Sequence, residues 1–151
     1  MALQQKVVMQ QIRSLVSECT GLDRVYGAAN DDANQYPEAA LQFPCAFVVP
    51  GPTTEYMLSA GQHRHSYQVM VQILHAPGMS VGQAYSALAG YTDLVIEKFA
   101  SNVTLGNRAN VCVFASSSGM RLFDTGDISY PGIEITLRVS EQAAATPAAG
   151  S

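Results

Sequence analysis

The alternation of apolar and polar residues near the C-terminal end constrains the fold more than any other feature of the chain. Residues 133–140 read Ile-Glu-Ile-Thr-Leu-Arg-Val-Ser, so every second side chain is aliphatic. Successive side chains of a β-strand point to opposite faces of the sheet. The segment is therefore predicted to be a strand that lies half in the core and half in water. The core side carries Ile133, Ile135, Leu137 and Val139, and the wet side carries Glu134, Thr136, Arg138 and Ser140.

Length and composition predict one folded domain that has a partner. The chain has 151 residues, of which 48% are hydrophobic and only 13% are charged, which is enough apolar material for a true core. We expect a single domain over residues 1–141. Residues 142–151 have little to bury and are predicted to be a flexible tail. A surface with so few charges favours a protein that covers part of its exterior in an assembly.

Charge and cysteine content exclude several classes of function. The net charge is −4 and the eight basic residues are scattered, whereas a surface that grips nucleic acid needs grouped cations. No apolar run reaches membrane-spanning length and residues 1–20 do not read as a signal peptide, so we expect synthesis in the cytoplasm and no membrane partner. The cysteines are odd in number: Cys19, Cys45 and Cys112. They have apolar neighbours and are predicted to be buried, reduced thiols.

Two segments have helical periodicity. Residues 3–19 place apolar side chains at steps of three and four, which predicts an amphipathic helix. Ser80 and Gln83 have the spacing of a capping box, and the apolar period that follows predicts a second helix to about Ala100. Gly90 lies inside that helix, where glycine is unfavourable, so we expect a neighbouring backbone to approach it closely. That backbone belongs either to the sheet or to another subunit.

The centre of the chain predicts strands and a hairpin. Pro44 and Pro50 bracket the apolar residues 45–49, which indicates a short buried strand with prolines at its ends. Residues 53–58 and 62–74 then form a predicted hairpin joined across residues 59–61. The second arm is predicted to place one row of side chains on each face: Tyr67, Val69, Val71 and Ile73 on one, and Gln68, Met70, Gln72 and Leu74 on the other. The hairpin should project from the domain, because its tip is too polar to lie in the core.

The remaining segments complete the predicted α+β fold. Residues 109–115 are apolar on both faces and are predicted to form a central strand, and residues 119–124 form a short one. Residues 22–43 show no period, which is typical of a segment that makes contacts or is mobile. We expect a largely antiparallel β-sheet with two α-helices packed on one face and a projecting β-hairpin.

The search for reactive groups predicts no catalytic, cofactor or metal site. His63 and His65 point the same way on a strand and would need a third ligand such as His75 to hold a metal, so we interpret them as hairpin surface. No Gly-x-Ser-x-Gly elbow and no phosphate-binding loop occurs, and Ser116–Gly119 is predicted to be an ordinary loop. Cys45 and Cys112 lie among apolar residues, where a thiolate is disfavoured. We therefore expect the protein not to be an enzyme.

The order of these features resembles that of a known family. An amphipathic helix precedes the run Phe43-Pro44-Cys45-Ala46-Phe47-Val48-Val49-Pro50, and a hairpin then leads into Tyr67-Gln68-Val69-Met70-Val71. A second helix follows, and residues 126–141 close the domain with the spacing Gly-x-x-x-Tyr-x-Gly-x-x-x-x-Leu-x-Val-x-Glu. Over residues 3–141 this order is similar to the tail-terminator, or tail-completion, proteins of long-tailed bacteriophages.

The resemblance implies a structural protein of the virion. Such a protein forms a ring, typically of six subunits, on the head-proximal end of the tail tube, where it stops polymerisation of the tube protein. It also offers a surface to the head connector or stopper protein, and DNA passes through it without specific binding. An acidic protein suits that passage, because a lumen without grouped cations does not hold phosphates.

A cyclic ring needs two different contact patches on each subunit, and the chain offers the hairpin and the thin face of the second helix. The residues predicted to contact a neighbouring subunit or the tube are Glu55, Tyr56, Met57, His63, Arg64 and Gly90. The wet side of the last strand, with Glu134, Thr136 and Arg138, is predicted to line the channel. The alternatives are a head-closure or other neck component, a tube subunit or, from another class, a small α+β ligand-binding protein or hydrolase.

Overall fold

The computed structural model describes residues 5–19, 21, 25–27, 44–59, 61–78, 80–105, 111–125 and 128–144. In chain order its elements are α1 (Gln5–Ser17), β1 (Val25–Gly27), β2 (Cys45–Ser59), β3 (Gln62–Leu74), α2 (Val81–Ala100), β4 (Val111–Thr125) and β5 (Ile128–Ala144). The strands form one sheet in the order β1-β2-β3-β5-β4. β1 runs parallel to β2, and all the other pairs are antiparallel. The predicted α+β class, with a largely antiparallel sheet, is confirmed.

Both helices cover the same face of this sheet, which we call the covered face. Its buried side chains on β3 and β5 pair in register: Tyr67 with Val139, Val69 with Leu137, Val71 with Ile135 and Ile73 with Ile133. They form one core with Val8, Ile12 and Val16 of α1 and with Leu88, Val95 and Phe99 of α2. The alternation predicted for both strands is confirmed, and the intervening side chains lie on the other side, the open face.

The helices begin and end close to their predicted bounds. The side chain of Ser80 accepts a hydrogen bond from the backbone N–H of Gln83 at 3.2 Å, so Ser80 caps α2 as its spacing predicts. α1 ends at Ser17, two residues before the predicted end. Its Arg13 donates from Nε and Nη2 to the carbonyl oxygen of Val25, at 3.1 and 3.0 Å, which ties β1 to the first helix.

A second, smaller core closes one end of the open face. It consists of Cys45, Phe47, Leu74, Phe123 and Tyr130. Gly132 lies beneath this cluster, where an added Cβ would be 2.7 Å from the carbonyl oxygen of Ile73 and from Cδ2 of Leu74. A side chain at residue 132 would therefore push against backbone that cannot move aside, and the close fit requires glycine.

The strand predicted to end at Pro50 continues to Ser59. The pairing of β2 with β3 shifts register between Pro50 and Thr53 and again between Thr53 and Glu55. Pro50 and Pro52 sit in this irregular stretch, where the loss of backbone donors does least harm. The two strands predicted for this region are thus a single bulged strand.

The prediction that residues 109–115 form a central strand is wrong. The described part of this segment belongs to β4, which is the edge strand beside β5, and Val113 is 37% exposed. Its apolar residues on both faces suggested burial on both sides, but only the covered face of the sheet has helices over it.

Ser116–Gly119 is not a loop. The segment lies within β4 between two register shifts, where Gly119 adopts a left-handed φ of +71°. Serine and glycine here mark a bulge in an edge strand, a device that interrupts regular pairing. The short strand predicted at residues 119–124 is the second half of the same strand.

The boundary of the predicted tail moves by three residues. β5 continues through Ala144, so residues 142–144 belong to the sheet, where they pair with Gln62, His63 and Arg64 of β3. Residues 145–151 lie outside the described residues. Of the patternless segment 22–43, only Val25–Gly27 is described, and it forms β1.

Candidate functional site

The predicted hairpin has a third strand beside it. β5 accompanies β3 as far as the pair of Gln62 with Ala144, close to the turn between β2 and β3. We call this part of the sheet the hairpin extension: residues 53–59 of β2, 62–67 of β3 and 139–144 of β5. Three paired strands make it a continuation of the sheet and stiffer than an isolated two-stranded hairpin.

The register divides the predicted contact residues between the two faces. Met57 pairs with Arg64, and Glu55 pairs with Ser66, which places Glu55, Met57 and Arg64 on the open face. Glu55 and Arg64 form an ion pair of 3.5 Å, and Met57 is 46% exposed. His63 and the backbone position of Tyr56 belong to the opposite side. The contact residues predicted on the hairpin therefore lie on two faces.

The predicted channel-lining residues continue the open face along β5. Nε2 of Gln72 donates to Oε2 of Glu134 at 3.0 Å, and Arg121 lies 3.7 Å from the other carboxylate oxygen of Glu134. Thr136 is half-buried and Arg138 is exposed. Further along, Ser66 donates to Ser140 at 3.3 Å and Gln142 donates to Gln62 at 2.8 Å. The open face is therefore mostly polar from the channel residues to Arg64, with Met70 beside Thr136 and Met57 beside Arg64.

A buried polar cluster lies on the covered face at the root of the hairpin extension. The hydroxyl of Tyr67 donates to Oε2 of Glu141 at 2.7 Å, and both residues are buried. The His65 ring lies 4.6 Å from the Tyr67 ring, and its Nε2 is 3.1 Å from Oγ1 of Thr53. Burial, together with the neighbouring Glu141 carboxylate, raises the pKa of the Tyr67 hydroxyl.

Sequence reasoning missed this cluster, although the signal was present. Glu141 continues the odd-numbered core side of the last strand after Ile135, Leu137 and Val139, so the alternation already placed its carboxylate on the buried face. We assigned Tyr67 only to the apolar row of β3. A carboxylate and a phenol that both fall on core sides of neighbouring strands predict a buried hydrogen bond.

His75, the third ligand considered from the sequence for a metal site, lies far from His63 and His65. His63 and His65 do point to the same side, but His75 lies ten residues beyond His65 at the other end of β3, about 33 Å away at the usual strand rise. Within the described ranges, no group of three or more His, Cys, Asp or Glu side chains is arranged to hold a metal ion.

The three cysteines are buried and free, as predicted. Burial raises the pKa of the Cys45 and Cys112 thiols to about 12. These groups therefore stay protonated near neutral pH, which is the wrong state for a nucleophile.

Gly90 is exposed on α2, and a Cβ built there meets nothing within 4 Å in the described part of the chain. Of the two neighbours proposed for it, the sheet is excluded. The same helix exposes Tyr85 by 58% and Leu94 by 36%. Nine residues at 100° each place these two side chains on opposite flanks of α2, whereas the outer side around Gly90 carries small or polar residues such as Ser86 and Asp93 and is thin.

A cleft of about 290 Å³ lies between the C-terminal ends of the two helices. It is lined by Glu18, Cys19, Leu94, Glu97, Lys98, Ser101 and Asn102. Nζ of Lys98 is 3.9 Å from Oε1 of Glu18, so an internal ion pair occupies part of its rim. Residues so distant in sequence gave no sign of the cleft, because only the packing of α1 beside α2 brings them together.

Neither described helix is long and apolar enough to cross a membrane. Comparison of the sequence with profiles of known protein families gives no match, and comparison with curated protein sequences gives none either.

Proposed function

We propose that this protein is a tail-terminator protein of a long-tailed bacteriophage, located at the neck of the virion. In this role a ring of subunits, typically six, caps the head-proximal end of the tail tube and stops polymerisation of the tube protein. The ring then presents a surface to the head connector or stopper protein. The protein acts through its shape and needs no catalytic residue, cofactor or metal.

The observation that carries this proposal is the continuous open face of the sheet. A five-stranded sheet with both helices on one side leaves its other side available for contacts or for a lumen. In the proposed ring, Glu134, Thr136 and Arg138 face the channel, and Glu55, Met57 and Arg64 contact the tube or the adjacent subunit. A face divided in this way suits a subunit whose channel residues guide DNA and whose hairpin residues stop the tube protein.

The second patch of the ring is the outer side of α2 around Gly90. A ring closes only when two different surfaces of the same chain fit each other. The hairpin extension and this helix side belong to separate elements, and the small residue at Gly90 allows the backbone of a neighbour to approach.

The charges of the open face agree with the passage of DNA. The strands β2, β3, β4 and β5 contain no lysine, and two of the open-face arginines, Arg64 and Arg121, each lie within 4 Å of a glutamate carboxylate. Arg138 is exposed on the same face, so each subunit offers phosphates one arginine there and no cluster of cations, which favours weak retention of a polyanion.

The test is electron microscopy of the purified protein, alone and mixed with isolated tail tubes, together with a mass measurement in solution. We expect rings with about six times the chain mass of 16.1 kDa and a single ring at one end of each tube. Rings that bind the connector but never a tube would favour a head-closure or other neck component. Copies that stack into long tubes would identify a tube subunit.

A small-molecule-binding protein is the second candidate, and the cleft between the helix ends favours it. Glu18, Glu97 and Lys98 could orient a polar ligand there, although ligand sites are usually larger and mostly apolar. A protein that remains a monomer of 16.1 kDa, and whose melting temperature rises with a metabolite while Glu97→Gln abolishes that rise, would establish this candidate instead.

A further inference from the structure

A histidine and a glutamate are buried on the covered face, and they are register partners. His65 of β3, 9% exposed, lies opposite Glu141 of β5, 2% exposed. Tyr67 links them, because its hydroxyl donates to Glu141 and its ring lies against His65. Burying a carboxylate is unfavourable even when it is hydrogen-bonded, so an aliphatic residue here would serve the core better. The cluster therefore requires a reason other than stability.

The apolar pattern alone does not determine how β3 pairs with β5. Four successive pairs on the covered face join Tyr67, Val69, Val71 and Ile73 to residues that are all aliphatic. A slip of one residue would turn each of these side chains to the open face. A slip of two residues would keep every one of them on the covered face, because the side-chain period of a strand is two.

Two features distinguish the observed register from that slip, one at each end of the strands. Gly132 specifies it by shape, since only glycine fits beneath Leu74 and Phe123. At the other end the apolar row stops at Tyr67 and Val139. A slip of two residues would move Glu141 about 7 Å along the strand, either opposite His63 and away from the Tyr67 hydroxyl, or directly opposite Tyr67. Either shift would change the diagonal geometry in which the hydroxyl reaches the carboxylate. The free-energy cost of an unpaired buried charge would oppose that movement.

We propose that the Tyr67–Glu141 hydrogen bond, with the tilted His65 ring packed against Tyr67, locks the register of β3 against β5 at the root of the hairpin extension. Beyond this point β3 carries Gln62, His63 and Arg64, so hydrophobic burial specifies its pairing weakly. The lock holds the extension in one conformation. It acts within a single chain and does not depend on which assembly the protein forms.

Hydrogen exchange of the 151-residue chain, read by mass spectrometry, tests the lock. The variant Tyr67→Phe/Glu141→Leu removes both partners of the hydrogen bond without leaving a carboxylate unpaired. We expect amides of residues 62–66 and 141–144 to exchange about tenfold faster or more, while those of residues 69–73 and 133–137 keep their wild-type rates. Unchanged exchange in the extension, or equal acceleration in all four segments, would overturn the proposal.

A second variant keeps the test decisive if the first does not fold. His65→Leu/Tyr67→Phe/Glu141→Leu replaces all three members of the cluster with apolar side chains, and we expect the same selective acceleration in the extension. Wild-type protection of the extension in this variant would also contradict the lock. Val71→Ala, which leaves a cavity on the same face away from the cluster, is the matched control. It should accelerate exchange in the central segments as well as in the extension.

Discussion

Glu55 and Arg64 form an ion pair across β2 and β3, with Oε1 and Nη1 3.5 Å apart, on the same face of the sheet as Thr136 and Arg138. This pair therefore joins the predicted hairpin contact and the predicted channel lining into one surface. It also allows the contact role of the hairpin to be tested with little effect on the fold.

The variant Arg64→Glu should abolish ring formation while the free energy of unfolding falls by less than about 1 kcal/mol, because both partners of the pair are about half exposed. Light scattering after size exclusion measures assembly, and urea denaturation measures stability. The double variant Glu55→Arg/Arg64→Glu swaps the two charges, which restores the ion pair and the stability. A neighbouring subunit then meets reversed charges, so we expect ring formation to stay lost. Lys98→Glu breaks the comparable Glu18–Lys98 pair between the helices and should leave assembly intact. Wild-type assembly of Arg64→Glu would contradict the contact role.

Gly132→Ala should lower the free energy of unfolding by about 1–3 kcal/mol, the usual range for an overpacked core. The new Cβ would lie 2.7 Å from the carbonyl oxygen of Ile73, which is held in the sheet, and equally close to Leu74. Urea denaturation followed by circular dichroism gives the change. If the Gly132→Ala variant is as stable as the wild type, the sheet relaxes at this site and the close fit does not require glycine.

Gly90→Ala should have the opposite effect on the isolated subunit and raise its free energy of unfolding by about 0.5–1 kcal/mol. Alanine stabilises a helix relative to glycine, and its Cβ would meet nothing within 4 Å in the described chain. Gly82→Ala, at a similarly open position of α2, is the matched control for stability. If Gly90 lies against a neighbouring subunit, its alanine variant forms fewer rings despite the more stable helix, which sedimentation velocity would detect. If the Gly90→Ala variant forms rings as fully as the wild type, Gly90 does not belong to the interface.

The buried thiols should make stability fall as the pH rises above about 9. The pKa of Cys45 and of Cys112 is about 12 in the folded chain, whereas unfolding returns it to the ordinary value of about 8.5–9. Between these values the unfolded chain binds fewer protons than the folded chain, so each thiol costs up to about 1.4 kcal/mol of stability per pH unit. Below pH 8 this loss is absent.

Urea denaturation at pH 8, 9 and 10 measures this loss, and the variant Cys112→Ala serves as the comparison because it lacks one of the two groups. The variant should be less stable at pH 8 but lose stability less steeply with pH than the wild type. If the free energy of unfolding falls equally steeply with pH in both proteins, the Cys112 thiol does not contribute to the loss of stability.

Much of the fold could be predicted from local pattern. The period of two in residues 133–140 and the capping pair Ser80 and Gln83 describe interactions between near neighbours in sequence, which act wherever the segment lies. The errors occurred where the answer depends on what lies beside a strand. Val113 looks like a residue of a central strand, yet β4 is at the edge of the sheet. The prediction failed because the apolar character of a residue does not show which element covers it.

The grouping of the predicted contact residues also depends on what lies beside a strand. The sequence predicts contacts for Glu55 and Arg64 because the hairpin carries residue types that interfaces favour, but their shared face depends on two extra residues that the irregular stretch inserts into β2. One residue more or fewer reverses every side chain beyond it. No local sequence pattern shows how many extra residues an irregular stretch of strand contains.

By itself, the sequence determined the classes of element, the inward and outward sides of β3 and β5, and the burial of the three cysteines, since each follows from side-chain chemistry at a fixed backbone period. Only the tertiary structure decided the strand order, the common face of Glu55, Arg64 and Arg138, and the meeting of Tyr67 with Glu141. Those relationships join residues as many as 83 positions apart. They arise from pairing and packing between elements, whose free energy depends on the whole arrangement and on no single segment.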